Sequence, residues 1–202
     1  MLVAALGGVA SGQTPGEVRA QASLDLAVRL FAAGRITESV AEFDALLRIA
    51  PDMAPSLWQR GIALYYAGRY ADCRRQFELH RTVNPSDVEN AAWHFLCVAK
   101  QETPARARDA LLPVGPDDRV PMKQIYEMFR GASTPEQVMA AAGKTPRGQF
   151  YGLLYTGLYF DATGDAARAL EQIKAAADGR FADAGGYMHM VARVHLARAQ
   201  AR

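Results

Sequence analysis

Residues 54–87, APSLWQRGIALYYAGRYADCRRQFELHRTVNPSD, decide the fold. The stretch divides into two helical runs. Gly61 lies where the two helices would cross, Gly68 and Arg69 turn the chain, and Tyr70 opens the second run. Phe77 falls on the inner face of that second run, and Pro85 stops it. A single hairpin of this kind cannot bury its apolar stripe alone, so a chain built on it must stack neighbours against it.

The same marks recur one period earlier. Gly34 and Gly68, Phe43 and Phe77, and Pro51 and Pro85 each stand 34 residues apart, and Ala27 answers Gly61. Gly157, Gly164 and Ala169 repeat the spacing of Gly61, Gly68 and Cys73, with Phe181 where the closing proline would be. Alanine is prominent, which favours helix over strand. The expected class is therefore all-α.

This frame of small residue, turn glycine, inner aromatic and terminal proline resembles the tetratricopeptide repeat. The resemblance implies a right-handed α-solenoid of antiparallel helix pairs with a C-terminal capping helix. Its repeats would span residues 20–53, 54–87, a degenerate 88–143, and 150–183, with the cap at 184–200, all within one domain at 19–202. In the degenerate unit Thr103 and Pro104 start a second helix early, ended by Pro113, Gly115 and Pro116. Pro121 opens a further helix carrying Met122, Ile125, Met128 and Phe129, and Thr134 with Gln137 forms a capping-box pattern. Residues 13–18 read as a linker.

At 202 residues the chain can bury a substantial core, and its formal charge of +2 creates no field that demands nucleic acid. Arginine far outnumbers lysine, scattered at helix positions expected to face water. Cys73 and Cys97 make no metal cluster. Both are expected in the core as small hydrophobes, and a disulfide between them stays open because adjacent repeats bring their helices together. Residues 1–11, MLVAALGGVAS, read as the apolar centre and cleavage end of an export signal without its basic flank, the alternative being a disordered end on a cytoplasmic protein. No cysteine follows the run to carry a lipid anchor, and it is too short to span a bilayer.

Catalytic patterns are missing from the sequence. The glycine pairs at 7–8 and 185–186 lack the spacing and the lysine of a phosphate loop, and no serine occupies a nucleophile elbow. His80, His94, His189 and His195 show no metal-ligand spacing. His80 stands where two helices touch and reads as a buried structural histidine rather than a catalytic one. The expectation is a protein that is not an enzyme, with no cofactor and no metal.

In a stacked array the first helix of each pair lines the concave side. That places Trp58, Ile62, Tyr65 and Tyr66 at a partner-binding groove, with Leu24, Val28 and Phe31 one repeat earlier and Leu96 and Lys100 one repeat later. Arg29, Arg69 and Lys100 would supply charge there. Aromatic rings offer large contact area at low entropic cost. The alternative is that several of these side chains pack between repeats, Tyr66 above all.

The run RGIALYYAGR at residues 60–69, followed by Asn84, Pro85 and Asp87 and a helix with Trp93, is similar to the NlpI-type lipoproteins of bacteria. That likeness implies an envelope or periplasmic adaptor, often dimeric, whose partners are other proteins such as peptidoglycan hydrolases or proteases. A second reading is a structural homodimerisation module, or an accessory subunit of a larger complex, associating through the apolar faces near Met122 to Phe129 or the closing helix.

Overall fold

The computed structural model describes residues 14–201. Its helices, in chain order, are α1 (Pro15–Ala32), α2 (Ile36–Ile49), α3 (Trp58–Tyr66), α4 (Tyr70–His80), α5 (Val88–Gln101) and α6 (Pro104–Asp109). They are followed by α7 (Met122–Arg130), α8 (Pro135–Ala142), α9 (Pro146–Thr163), α10 (Ala166–Ala176), α11 (Ala182–Gly185) and α12 (Tyr187–Gln200). Short 3₁₀ turns cover Pro51–Ser56 and Gly179–Phe181. Every regular element among the described residues is helical, and neighbours pack in pairs: α1 on α2, α3 on α4, α9 on α10. The apolar run at residues 1–11, read as an export signal, lies outside the described residues.

The 34-residue frame corresponds to repeated geometry. At the first turn the Gly34 N–H donates to the Phe31 carbonyl at 2.9 Å and the Arg35 N–H to that of Leu30 at 2.9 Å. At the second, Gly68 donates to Tyr65 at 3.1 Å and Arg69 to Leu64 at 3.0 Å. Asp165 donates to Phe160 at 2.9 Å at the third. The three glycines hold φ of 74°, 74° and 92°, the left-handed conformation that a side chain resists. Inside each pair the small residue admits the facing side chain: Gly61 meets Phe77, and Gly157 meets Ile173.

Helix starts follow their caps. Thr103, Thr134 and Thr145 each accept a backbone N–H three residues on, and Thr134 completes its capping box with Gln137. Three boundaries differ from the sequence reading. Thr14 and Glu17 also form a capping box with Pro15 at the first helical position, so residues 15–18 are the opening turn of α1 rather than linker. Helix α6 ends at Asp109 because the following segment is pulled onto the N-terminus of α5, with Gly115 donating to the Pro85 carbonyl at 3.0 Å. The last long helix begins at Tyr187, after Gly186 turns at φ 52°.

The core runs through all the pairs. Phe43, Phe77, Trp93, Phe95, Phe129 and Phe150 are fully buried, each contributing about 1.5–3 kcal/mol of apolar transfer. Met122, Ile125, Met128 and Phe129 are all at 0% exposure, with Phe129 5.0 Å from Phe95. The α7 face read from sequence as a surface for joining two chains is covered within one. Cys73 on α4 and Cys97 on α5 form a disulfide, resolving the sequence's open alternative. Not every arginine is a surface charge: Arg60 is mostly buried, bonded to Asp44 at 2.7 Å and Gln76 at 3.0 Å.

Candidate functional site

The closing helix determines what became of the groove. It packs on α10, as a cap on the last pair would, and also on α1 at the other end of the chain. The Tyr187 ring stacks on Phe31 with centroids 6.0 Å apart and meets Trp58 edge-on at 4.8 Å. The Tyr66 hydroxyl lies 3.0 Å from His195 Nδ1, and Arg198 donates to the Tyr66 carbonyl at 3.0 Å.

Phe31, Ile62, Tyr65, Tyr66 and Leu96 are consequently buried. They form the wall behind a site rather than its surface. Leu24, Val28 and Trp58 are partly buried against the core. Arg29 is exposed in the last turn of α1, and the other two charges expected at the groove are committed elsewhere. Lys100 pairs with the Asp161 carboxylate at 2.9 Å, and Arg69 with Asp72 at 2.7 Å and Asp44 at 3.2 Å. Of these residues, Trp58 alone lines the cavity that remains under α12.

That cavity encloses about 310 Å³. Its apolar wall comes from Trp58 on α3, Phe77 on α4, Trp93 on α5, and Tyr187 with Met188 on α12. Its polar wall comes from His80, from Asp87, Glu89 and Asn90 at the start of α5, from Arg119 in the connector, and from Tyr151 on α9. Sequence position alone scatters these residues; helix pairing gathers them.

Arg119 is the hub of the polar wall. Its guanidinium reaches Asp87 at 2.6 Å, Glu89 at 2.7 Å and Asp117 at 2.6 Å. Asp117 also accepts the Val88 N–H at 3.2 Å, and Asp87 accepts that of Glu89 at 3.1 Å, so both cap α5. The second Glu89 oxygen accepts the Tyr155 hydroxyl at 2.7 Å. Three carboxylates thus share one guanidinium.

The titrations follow from that crowding. Burial first and the Asp87 charge second push the Glu89 carboxyl up to about 7, against the bonds from Tyr155 and Arg119. Burial also acts to raise Asp117, but its bonds to Arg119 and to backbone N–H groups win and hold it below the usual range. Arg119 is held firmly charged, chiefly by its bond to Asp117. Burial, then the Glu89 charge, pushes Tyr151 up to about 12. Burial likewise raises Tyr187.

Several polar atoms of the lining have no hydrogen-bond partner: Asn90 Oδ1, Trp93 Nε1 and the Tyr187 hydroxyl. The histidines have structural partners. His80 Nδ1 is 2.7 Å from the Pro55 carbonyl, a bond that requires the proton on Nδ1, and His189 Nε2 is 3.0 Å from that of Asp178. His94 lies 3.4 Å from Glu78 and is held neutral by burial. Among the described residues no cluster of three His, Cys, Asp or Glu side chains is placed to hold a metal. The polar wall can orient and neutralise a guest.

Sequence reading missed Glu89, Asn90, Arg119, Tyr151 and Tyr187. One signal was available: Glu89–Asn90 is a polar pair in the first turn of a helix that is otherwise apolar from Ala91 to Ala99, His94 excepted. Nothing local marks Arg119, whose role depends on a connector folding back. Comparison with protein-family models finds no match to the chain, and comparison with curated proteins finds none either.

Proposed function

We propose that the protein is a non-enzymatic adaptor, a tetratricopeptide-like right-handed solenoid of the bacterial cell envelope that captures a segment of another protein at the mouth of the α12-covered cavity. The observation that carries this reading is a cavity walled by Trp58, Trp93 and Tyr187 whose lining keeps unpaired hydrogen-bonding atoms. Large aromatics around a desolvated pocket are the usual anchors of protein recognition. The Cys73–Cys97 disulfide favours an oxidising compartment, which supports export. No helix among the described residues is long and apolar enough to cross a membrane.

The NlpI-type likeness belongs to this proposal and nominates peptidoglycan hydrolases and proteases as partners. Self-association through α7 is the weaker reading, because that apolar face is spent inside the chain. The test is capture of envelope proteins on purified protein, compared with Trp58→Ala and Tyr187→Ala variants of unchanged far-ultraviolet dichroism. Selective loss of a captured protein supports the adaptor, and unchanged capture by both variants contradicts it.

A further inference from the structure

The chemistry of the cavity specifies a guest more narrowly. We infer that it receives one cationic residue, lysine or arginine, from a partner's peptide segment. This deepens the adaptor reading and rests on it for the source of the residue; the preference for a cation rests on the cavity alone.

Charge supplies the first reason. Asp87 and Glu89 in the lining and Asp117 behind it carry three negative charges when ionised, and Arg119 returns one positive charge, so the cluster is two charges negative in that state. Burial first and the Asp87 charge second raise the Glu89 carboxyl, and a cation beside it favours the ionised form. An anionic guest would have to displace a carboxylate from Arg119, whereas a cation relieves the imbalance.

The apolar wall supplies the second. Trp58 and Tyr187 meet edge-on at 4.8 Å, and Trp93 stands in the same lining. Ring faces attract ammonium and guanidinium groups while their bodies cover an aliphatic stem.

The unpaired atoms supply the third and distinguish a peptide from a free amine. Asn90, 4% exposed, presents an acceptor, Oδ1, and the Tyr187 oxygen can accept as well. A cationic head satisfies both. Trp93, 1% exposed, presents an N–H that needs an acceptor, which a backbone carbonyl provides and an alkylamine lacks.

The test uses the protein's two tryptophans, both in the cavity lining, as fluorescent reporters. Blocked tripeptides Ala-Lys-Ala and Ala-Arg-Ala are titrated beside the Nε-acetyl-lysine and norleucine forms, and beside n-butylamine. The lysine or arginine peptide is expected to bind at least about tenfold more tightly than the acetylated and norleucine forms, and more tightly than butylamine. Glu89→Gln, with unchanged dichroism, should erase most of that preference. Trp93→Phe, which keeps a ring and loses the N–H, should weaken the peptide several-fold and leave butylamine unchanged. Equal binding of charged and acetylated peptides, or no fluorescence response to either cationic peptide, overturns the inference. Butylamine binding as tightly as the peptides overturns the peptide source. If envelope proteins are captured through Trp58 while cationic peptides fail, the cation chemistry is wrong and the adaptor stands. Cationic peptide binding without capture supports the cavity chemistry and removes the adaptor.

Discussion

A methyl group placed on Gly61 would stand 2.7 Å from the Phe77 ring. Gly157 repeats the relationship with Ile173 at 2.8 Å, at the same sixteen-residue separation. The close approach of paired helices rests on these missing side chains. Gly61→Ala should therefore lower stability by about 1–3 kcal/mol through overpacking. Gly179→Ala, where a Cβ meets nothing within 4 Å, should change it by less than about 0.5 kcal/mol. Urea unfolding of the two variants checks the contrast, and equal effects would show that Gly61 does not sit at a crossing.

The disulfide between Cys73 and Cys97 closes a loop 24 residues apart in sequence, so the chain-entropy model assigns it about 3 kcal/mol. The oxidised protein should show no free thiol by mass-shift alkylation. Reduction, or joint Cys73→Ala and Cys97→Ala substitution, should lower the melting temperature by several degrees. Two alkylatable thiols in protein folded under oxidising conditions would contradict the pairing.

Glu89 predicts a particular pH dependence. Its carboxyl is raised from 4.5 to about 7 in the fold, so between those values the native protein holds a proton that the unfolded chain has lost. Stability from this group is complete below about pH 4.5 and is lost as pH rises through 7, up to about 3 kcal/mol. The charged and titratable groups that act on it are Arg119 of the connector, Asp87 at the head of its own helix, and Tyr155 and Tyr151 of α9. His94, depressed by burial, works the other way: its contribution is lost as pH falls below its ordinary 6.5. Comparison with Glu89→Gln isolates the carboxylate. The unfolding free energy of the variant relative to the parent should rise by about 2 kcal/mol from pH 5 to pH 8, and a flat difference contradicts the assignment.

Arg119→Met would leave Asp87, Glu89 and Asp117 without their shared counter-charge. The expected loss near pH 7 is about 1–3 kcal/mol, less than for a fully buried network because 36% of the Arg119 side chain meets solvent. Acidification should restore part of it as Asp117, no longer held below the usual range by Arg119, takes up its proton. A loss independent of pH would mean that Arg119 acts through packing alone.

Much of the architecture was legible because local rules and tertiary packing agree. Gly34, Gly68 and Gly164 mark turns in sequence and occupy them in space, and Thr103, Thr134 and Thr145 announce the helices they cap. The site was less legible for a physical reason. Periodicity shows that Ile62 and Tyr66 share an apolar face, but not what covers it. The cover is His195 and Arg198, roughly 130 positions away from Tyr66 along the chain, in a helix whose own pattern reads only as a cap. Arg119 shows the same limit, since its three partners meet it only after the connector folds onto α5.

Native-state hydrogen exchange across Tyr187–Gln200 tests most directly whether the chain's own last helix closes the aromatic wall. The central amides of that helix, from Val191 to His195, should exchange as slowly as those of α9, in the same cooperative unit. Exchange of α12 within minutes while α9 stays protected would mean that the helix is not seated on Phe31, Trp58 and Tyr66. The cavity would then not exist as described.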